Sequence, residues 1–105
     1  MKKWKIQFTP EAARLLSKLH PENKRQIKKA IIELRQNPHT GKELQEELFG
    51  FKSHRIKQYR LIYNLNDVEY FLRVYYIGLR RDVYEQFRQL LADFQKMSPP
   101  TSHDK

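Results

Sequence analysis

Two arginines, Arg55 and Arg60, flank the dipeptide Lys57-Gln58 in a stretch that reads as a β-hairpin. If Ile56 pairs with Tyr59, then Arg55 lies opposite Arg60 and His54 opposite Leu61, because residues directly across a ladder share a face. One face then carries His54, Ile56, Tyr59, Leu61 and Tyr63, mostly core material, and the other carries Ser53, Arg55, Arg60 and Ile62. Like charges directly opposite destabilise a sheet, so the pair implies an anion between them. The planar guanidinium fork matches a phosphate. Lys52 and Lys57 lie in the same hairpin, the run from Phe51 to Arg60 holds no acid, and Arg80-Arg81 follow where a later strand ends. A solvated basic face explains most charge runs. It does not explain arginines set inside or at the ends of strongly apolar strands, as Arg60 and Arg80 are.

The rest of the composition fits a polyanionic or acidic partner. Lys and Arg number 21 against 12 Asp and Glu, a formal net charge of +9 in 105 residues, which favours nucleic acid or an acidic protein. The length is that of one domain. With no Cys, a disulfide framework, a thiolate zinc site and a Cys nucleophile are excluded together. His20, His39, His54 and His103 show no ligand spacing, so no metal site is expected. Gly41, Gly50 and Gly78 form no phosphate-cradling loop, and no cofactor is expected. Met1-Lys2-Lys3-Trp4-Lys5 is charged without an apolar run behind it, and no stretch nears the roughly 20 apolar residues of a membrane span. The expectation is a cytoplasmic protein without membrane contact.

The elements that must position these arginines follow from periodicity and punctuation. Trp4, Ile6 and Phe8 alternate with polar residues as in a strand. Thr9-Pro10-Glu11 opens a helix, with Thr as N-cap, Pro at the first helical position and Glu facing the positive end of the dipole. Ala12, Leu15, Leu16 and Leu19 form its apolar stripe until His20-Pro21 stops it. A second helix from Pro21 carries Ile27, Ala30, Ile31 and Leu34 and ends at Asn37-Pro38, giving an antiparallel hairpin. Leu44 and Leu48 suggest a helical turn before Gly50. Strands are predicted over Phe51 to Ile56, Tyr59 to Leu65 and Tyr70 to Ile77, with a turn at Asn66-Asp67. Val83, Phe87, Leu90, Leu91 and Phe94 then mark a last helix. The plan is α+β: an N-terminal strand, a helical hairpin on one face of a small antiparallel sheet, and a C-terminal helix, with one domain over residues 1–96 and a flexible tail over 97–105. The other sheet face must be polar or lend itself to a partner.

These residues, in this order, resemble the RelE/ParE superfamily of bacterial type II toxins. The resemblance rests on Phe8-Thr9-Pro10-Glu11-Ala12, Lys18-Leu19, Asn37-Pro38, Leu48-Phe49-Gly50, Tyr59-Arg60-Leu61-Ile62-Tyr63 and the run from Tyr76 through Gly78, Arg80-Arg81 and Tyr84. It covers about Ile6 to Phe94. For the RelE branch it implies a small endonuclease that enters the ribosomal A site, cuts mRNA and is held inactive by a cognate antitoxin. It implies that Arg60 binds the scissile phosphate, that Arg80 stabilises the transition state and that Tyr84 stacks on or orients the RNA. Arg55 joins them as a catalytic candidate, and Lys52, Lys57, Arg81 and His54 as RNA-binding candidates. Many relatives carry His just before the second arginine, where this chain has Leu79, and RelE places its lysines at other offsets from the dyad.

Such a reaction needs no metal, since the RNA supplies the 2′-OH nucleophile and the protein aligns it, neutralises charge and assists proton transfer. Arginine is a poor base, which leaves Lys52, Lys57 and His54 as candidates. His54 has the best intrinsic pKa but faces the core side in this register. Val83 rather than Tyr84 starts the apolar stripe, which sets Tyr84 towards solvent. Tyr70, Phe71, Tyr75 and Tyr76 read as packing residues. Two alternatives remain: a ParE-like inhibitor of DNA gyrase on the same fold, and a basic binding module without catalysis.

Overall fold

The computed structural model describes residues 4–97. Strand β1 (Lys5–Phe8) leads into α1 (Pro10–Ser17), whose N-terminus is capped as the sequence requires: Thr9 Oγ1 accepts a hydrogen bond of 3.1 Å from Ala12 N. Helix α2 (Pro21–Gln36) follows, and His20 Nδ1 accepts from Glu22 N at its start. A single 3₁₀ turn (Pro38–Thr40), a two-residue strand β2 (Lys42–Glu43) and a second 3₁₀ turn (Glu46–Leu48) lead to β3 (Lys52–Ile56), β4 (Tyr59–Asn66), β5 (Phe71–Leu79) and α3 (Val83–Met97). The expected helical turn before Gly50 is the second 3₁₀ turn. β2 is too short to leave a periodic signal. Helix α3 takes in Met97, the first residue of the expected tail; the rest of that tail lies outside the described residues.

The sheet has five strands in the order β1-β5-β4-β3-β2. The β3–β4 and β4–β5 pairs are antiparallel, as the meander predicts, but β1 joins β5 in parallel, so the sheet is mixed rather than purely antiparallel. The reason is connectivity: α1, α2 and the meander lie between the two strands, and only adjacent hairpin strands are forced to run in opposite directions.

Two cores form, one on each side of the sheet. Ala12 and Leu16 of α1 and Ile27, Ile31 and Leu34 of α2 pack with Ile56, Leu61, Tyr63, Leu72, Val74 and Ile77. On the other side Val83 and Phe87 of α3 meet Ile62, Leu44 and Leu48, with Phe51, Tyr75 and Tyr76 around them. The second face is therefore covered by α3, not left for a partner. An apolar stripe buried this way contributes about 1.5–3 kcal/mol for each large side chain, and leaving it wet would forfeit that. Between Ile62 and Tyr63 the β4–β5 register slips by one residue: Ile62 pairs with Tyr76 and Tyr63 with Val74, leaving Tyr75 as the extra residue. This bulge lets the neighbours Tyr75 and Tyr76 both serve the α3 side, which strict alternation forbids.

Candidate functional site

The turn that brings β3 back as β4 is tight. Lys57 sits at φ 54°, and Gln58 accepts a backbone hydrogen bond of 2.8 Å from Arg80 N. A left-handed residue that is not glycine costs about 1–2 kcal/mol, and the strand pairing on either side holds it in place. The register is the one inferred from the sequence, with Arg55 opposite Arg60, His54 opposite Leu61 and Ser53 opposite Ile62. The bond to Arg80 N ties the start of the β5–α3 turn to the hairpin tip, so Lys57, Gln58, Arg80 and Arg81 gather at one end of the sheet. Gln58, Leu79, Arg80 and Arg81 line a shallow depression of about 330 Å³ there.

On the α3 side, Arg60 is held from two directions. Its Nη1 donates to Ser53 Oγ at 2.8 Å, and its guanidinium carbon lies 5.8 Å from the centroid of the Tyr84 ring. Ser53 Oγ in turn shares a hydrogen bond of 2.9 Å with the Tyr84 hydroxyl. Ser53 is 2% exposed, the one buried polar residue of the described core. A buried hydroxyl without partners is costly; here it has an arginine and a tyrosine. Tyr84 is half-buried at the rim of the α3 core rather than free in solvent.

Arg55, Lys57, Arg80 and Arg81 are exposed and make no side-chain hydrogen bond or ion pair with any described residue. The other two candidates lie elsewhere. Strand alternation puts Lys52 and His54 on the α1–α2 side of β3, away from Ser53, Arg55 and Arg60. Lys52 Nζ is paired with Glu43 at 3.3 Å across β2–β3. Half-buried, His54 has its pKa lowered by desolvation and then by the Arg60 charge, with Glu33 opposing. The structure thus brings Arg55, Arg60 and Tyr84 onto the α3 side and Lys57, Arg80 and Arg81 to its end, and leaves Lys52 and His54 out. Ser53 was absent from the candidates. Its signal was its place on the arginine face of an otherwise basic and apolar hairpin.

A five-stranded sheet with two helices on one side and a third helix on the other is the RelE-type toxin fold. The chain belongs to the ParE-like toxins of type II bacterial toxin-antitoxin systems, whose family model matches residues 6–88. It is similar to the toxin-antitoxin complex RelBE2 of Mycobacterium tuberculosis, at 30% identity and a TM-score of 0.71 over 75% of this chain and 100% of that one. The intact E. coli RelBE complex aligns at 20% identity and a TM-score of 0.64, covering 72% and 95% of the two chains. The YoeB/ParE toxin of Agrobacterium tumefaciens aligns at 18% and 0.64, covering 72% and 98%. The last two likenesses speak for the fold alone. No curated protein matches the chain at the level of sequence. Among the described residues no helix is long and apolar enough to cross a membrane.

Proposed function

We propose that this toxin is a metal-independent, ribosome-dependent mRNA endonuclease acting in the cytoplasm. The observation that carries the reading is that Arg60 is fixed by Ser53 and Tyr84 while Arg55, Arg80 and Arg81 have no counter-ion among the described residues. Cations gathered without partners repel one another and are stabilised by an anion, and an RNA phosphate fits guanidinium geometry. In the reaction the 2′-OH attacks the adjacent phosphorus and the bond to the 5′-oxygen breaks, leaving a 2′,3′-cyclic phosphate and a 5′-hydroxyl. Arg60 and Arg55 neutralise the phosphate oxygens, Arg80 and Arg81 meet the charge that grows on the leaving oxygen, and Tyr84 orients the RNA. Of the three candidate bases, Lys57 alone stands at the arginine end without a side-chain partner among the described residues; in its neutral amine form it takes the 2′-OH proton, and water gives a proton to the leaving 5′-oxygen. The mRNA in the ribosomal A site supplies the remaining alignment.

The second reading, inhibition of DNA gyrase by protein contact, draws on the same placement. With His54 on the far face and Lys52 held by Glu43, a single lysine is left as a base, and a docking surface needs none. Both readings include a cognate antitoxin, supported by the RelBE2 complex among the similar structures and by the charge of +9, which suits an acidic segment that folds as it wraps. Co-expression with the neighbouring reading frame should yield a stable complex; a free toxin would count against it.

The deciding experiment is cleavage of a defined mRNA in a purified translation reaction, with and without ribosomes, wild type beside Arg60→Ala. Codon-phased cuts that need ribosomes, end in a cyclic or 3′ phosphate and vanish in Arg60→Ala support the nuclease. Intact mRNA with accumulating double-strand DNA breaks supports the gyrase reading.

A further inference from the structure

We infer that Ser53 is a positioning residue that orients the Arg60 guanidinium and the Tyr84 phenol relative to each other before substrate arrives. The inference rests on the reading of Arg60 as a phosphate-binding group. Arginine has five N–H donors on a long flexible stem. Here Arg55 is its register partner and pushes it away by like-charge repulsion. Something must hold the guanidinium against that push in a state with no anion present. Ser53 does so: one oxygen, buried on β3, accepts from Arg60 Nη1 and also bonds the Tyr84 hydroxyl on α3. Three elements, β3, β4 and α3, thereby meet at a single atom.

The geometry has a division of labour. The hydroxyl takes one Nη1 donor and the guanidinium carbon lies 5.8 Å from the centroid of the Tyr84 ring, while the other N–H groups of Arg60 make no hydrogen bond with any described residue and are left for an anion. A side chain on a buried strand position moves little, whereas either partner alone would sample several rotamers. Pre-set donors cost no reorganisation when charge develops, which is where such groups accelerate a reaction. Arg60 without this anchor keeps its charge, so ground-state attraction to RNA largely survives and alignment is what suffers.

The test uses the full chain as Ser53→Ala and Ser53→Thr. The second keeps the hydroxyl and suits a strand. Two quantities are read. In the free toxin, nitrogen-15 NMR of the arginine side chains follows rotation about the Cζ–Nη bonds of Arg60. In the ribosomal cleavage assay, kcat and KM are separated. Ser53→Ala should free the Arg60 Nη rotation and lower kcat by about tenfold with KM within about twofold, and Ser53→Thr should restore both. If Ser53→Ala rotates as slowly as wild type, or cuts with the wild-type kcat, the inference is overturned. If the wild type does not cut RNA at all, the function reading fails, and the rotation measurement still decides: release in Ser53→Ala supports the anchor and no change overturns it. Should Ser53→Ala prove unfolded, Ser53→Cys, similar in size but a weak acceptor, takes its place with the same two readouts.

Discussion

Arg60 stands directly opposite Gly78 across β4 and β5. The glycine has no side chain to fill the α3 side of that row, and atoms of Val83 and Gln86 on α3 and Tyr76 on β5 come within 3.3 Å of where a Cβ would stand. This close approach seats the first turn of α3 on the sheet and brings Tyr84 to Arg60. Gln86 can swing aside, but the Val83 methyl and the Tyr76 ring must give by a few tenths of an ångström, so Gly78→Ala should shift the start of α3 slightly and lower stability by about 1 kcal/mol in urea titration. The displacement should also weaken the Arg60–Tyr84 contact, so cleavage should fall more than stability alone explains. Wild-type stability and activity in this variant would mean that α3 gives way freely.

Arg55 should cost the fold something. It faces Arg60 in register with no side-chain partner among the described residues. Arg55→Thr removes the repulsion and adds a good strand former, so thermal denaturation should show a gain of about 0.2–1 kcal/mol. The same variant should bind and cut RNA less well. A loss of stability would show that Arg55 has packing value outweighing the charge.

Tyr63 is fully buried, donates its hydroxyl to Pro38 O at 2.8 Å and accepts from Gly41 N at 3.1 Å. It thereby pins the segment after α2 to the sheet. Tyr63→Phe leaves both backbone groups short of a partner and should cost about 1–3 kcal/mol.

Burial raises the Tyr63 phenol from 10.0 to about 12. The folded state then holds this proton more tightly than the unfolded state. Tyr63's contribution is complete below pH 10 and is lost as pH rises towards 12, by roughly 2–3 kcal/mol in total. Urea midpoints of wild type and Tyr63→Phe should converge over that window, and parallel curves would contradict the assignment.

His54 titrates in the opposite sense to a histidine that gains an anionic partner. Burial and Arg60 lower its pKa below 6.5, so the unfolded chain binds the proton more readily. Stability due to the neutral ring is present above pH 6.5 and is lost as pH falls through the lowered value. His54→Gln should flatten the acid limb of the stability curve. A wild-type slope in the variant would move the titration to another group.

Binding of the toxin to RNA should fall steeply with salt, because each neutralised phosphate releases counterions. Every basic residue removed from the arginine end should reduce the slope of log affinity against log salt by about 0.7 to 0.9. An unchanged slope in Arg80→Ala would remove Arg80 from the interface.

Local pattern and punctuation were enough for the three α-helices and for β1, β3, β4 and β5. Thr9-Pro10, His20-Pro21 and Asn37-Pro38 bound the two first helices because proline's missing N–H and its restriction of the preceding residue act within the chain itself. The hairpin register was legible for a similar reason: with only Lys57-Gln58 between the strands, one pairing sets Arg55 against Arg60 and keeps Leu61 and Tyr63 inward. The family resemblance was legible too, in the order of short motifs along the chain. β2 and the slip at Tyr75 left no trace, since two residues show no period and a bulge is recognised only against its partner strand.

What tertiary structure decided was everything that depends on distant segments meeting. The parallel seat of β1 beside β5, the closing of the second face by α3 and the joining of Ser53, Arg60 and Tyr84 each involve residues brought together by packing rather than by periodicity. The sequence by itself determined which residues carry charge, which stripes must be buried and where helices stop, because those are properties of neighbours along the chain. Which stripe covers which face, and hence which arginine is held and which are left open, depends on the shape of the assembled layers, where one missing side chain at Gly78 and one hydroxyl at Ser53 set the geometry.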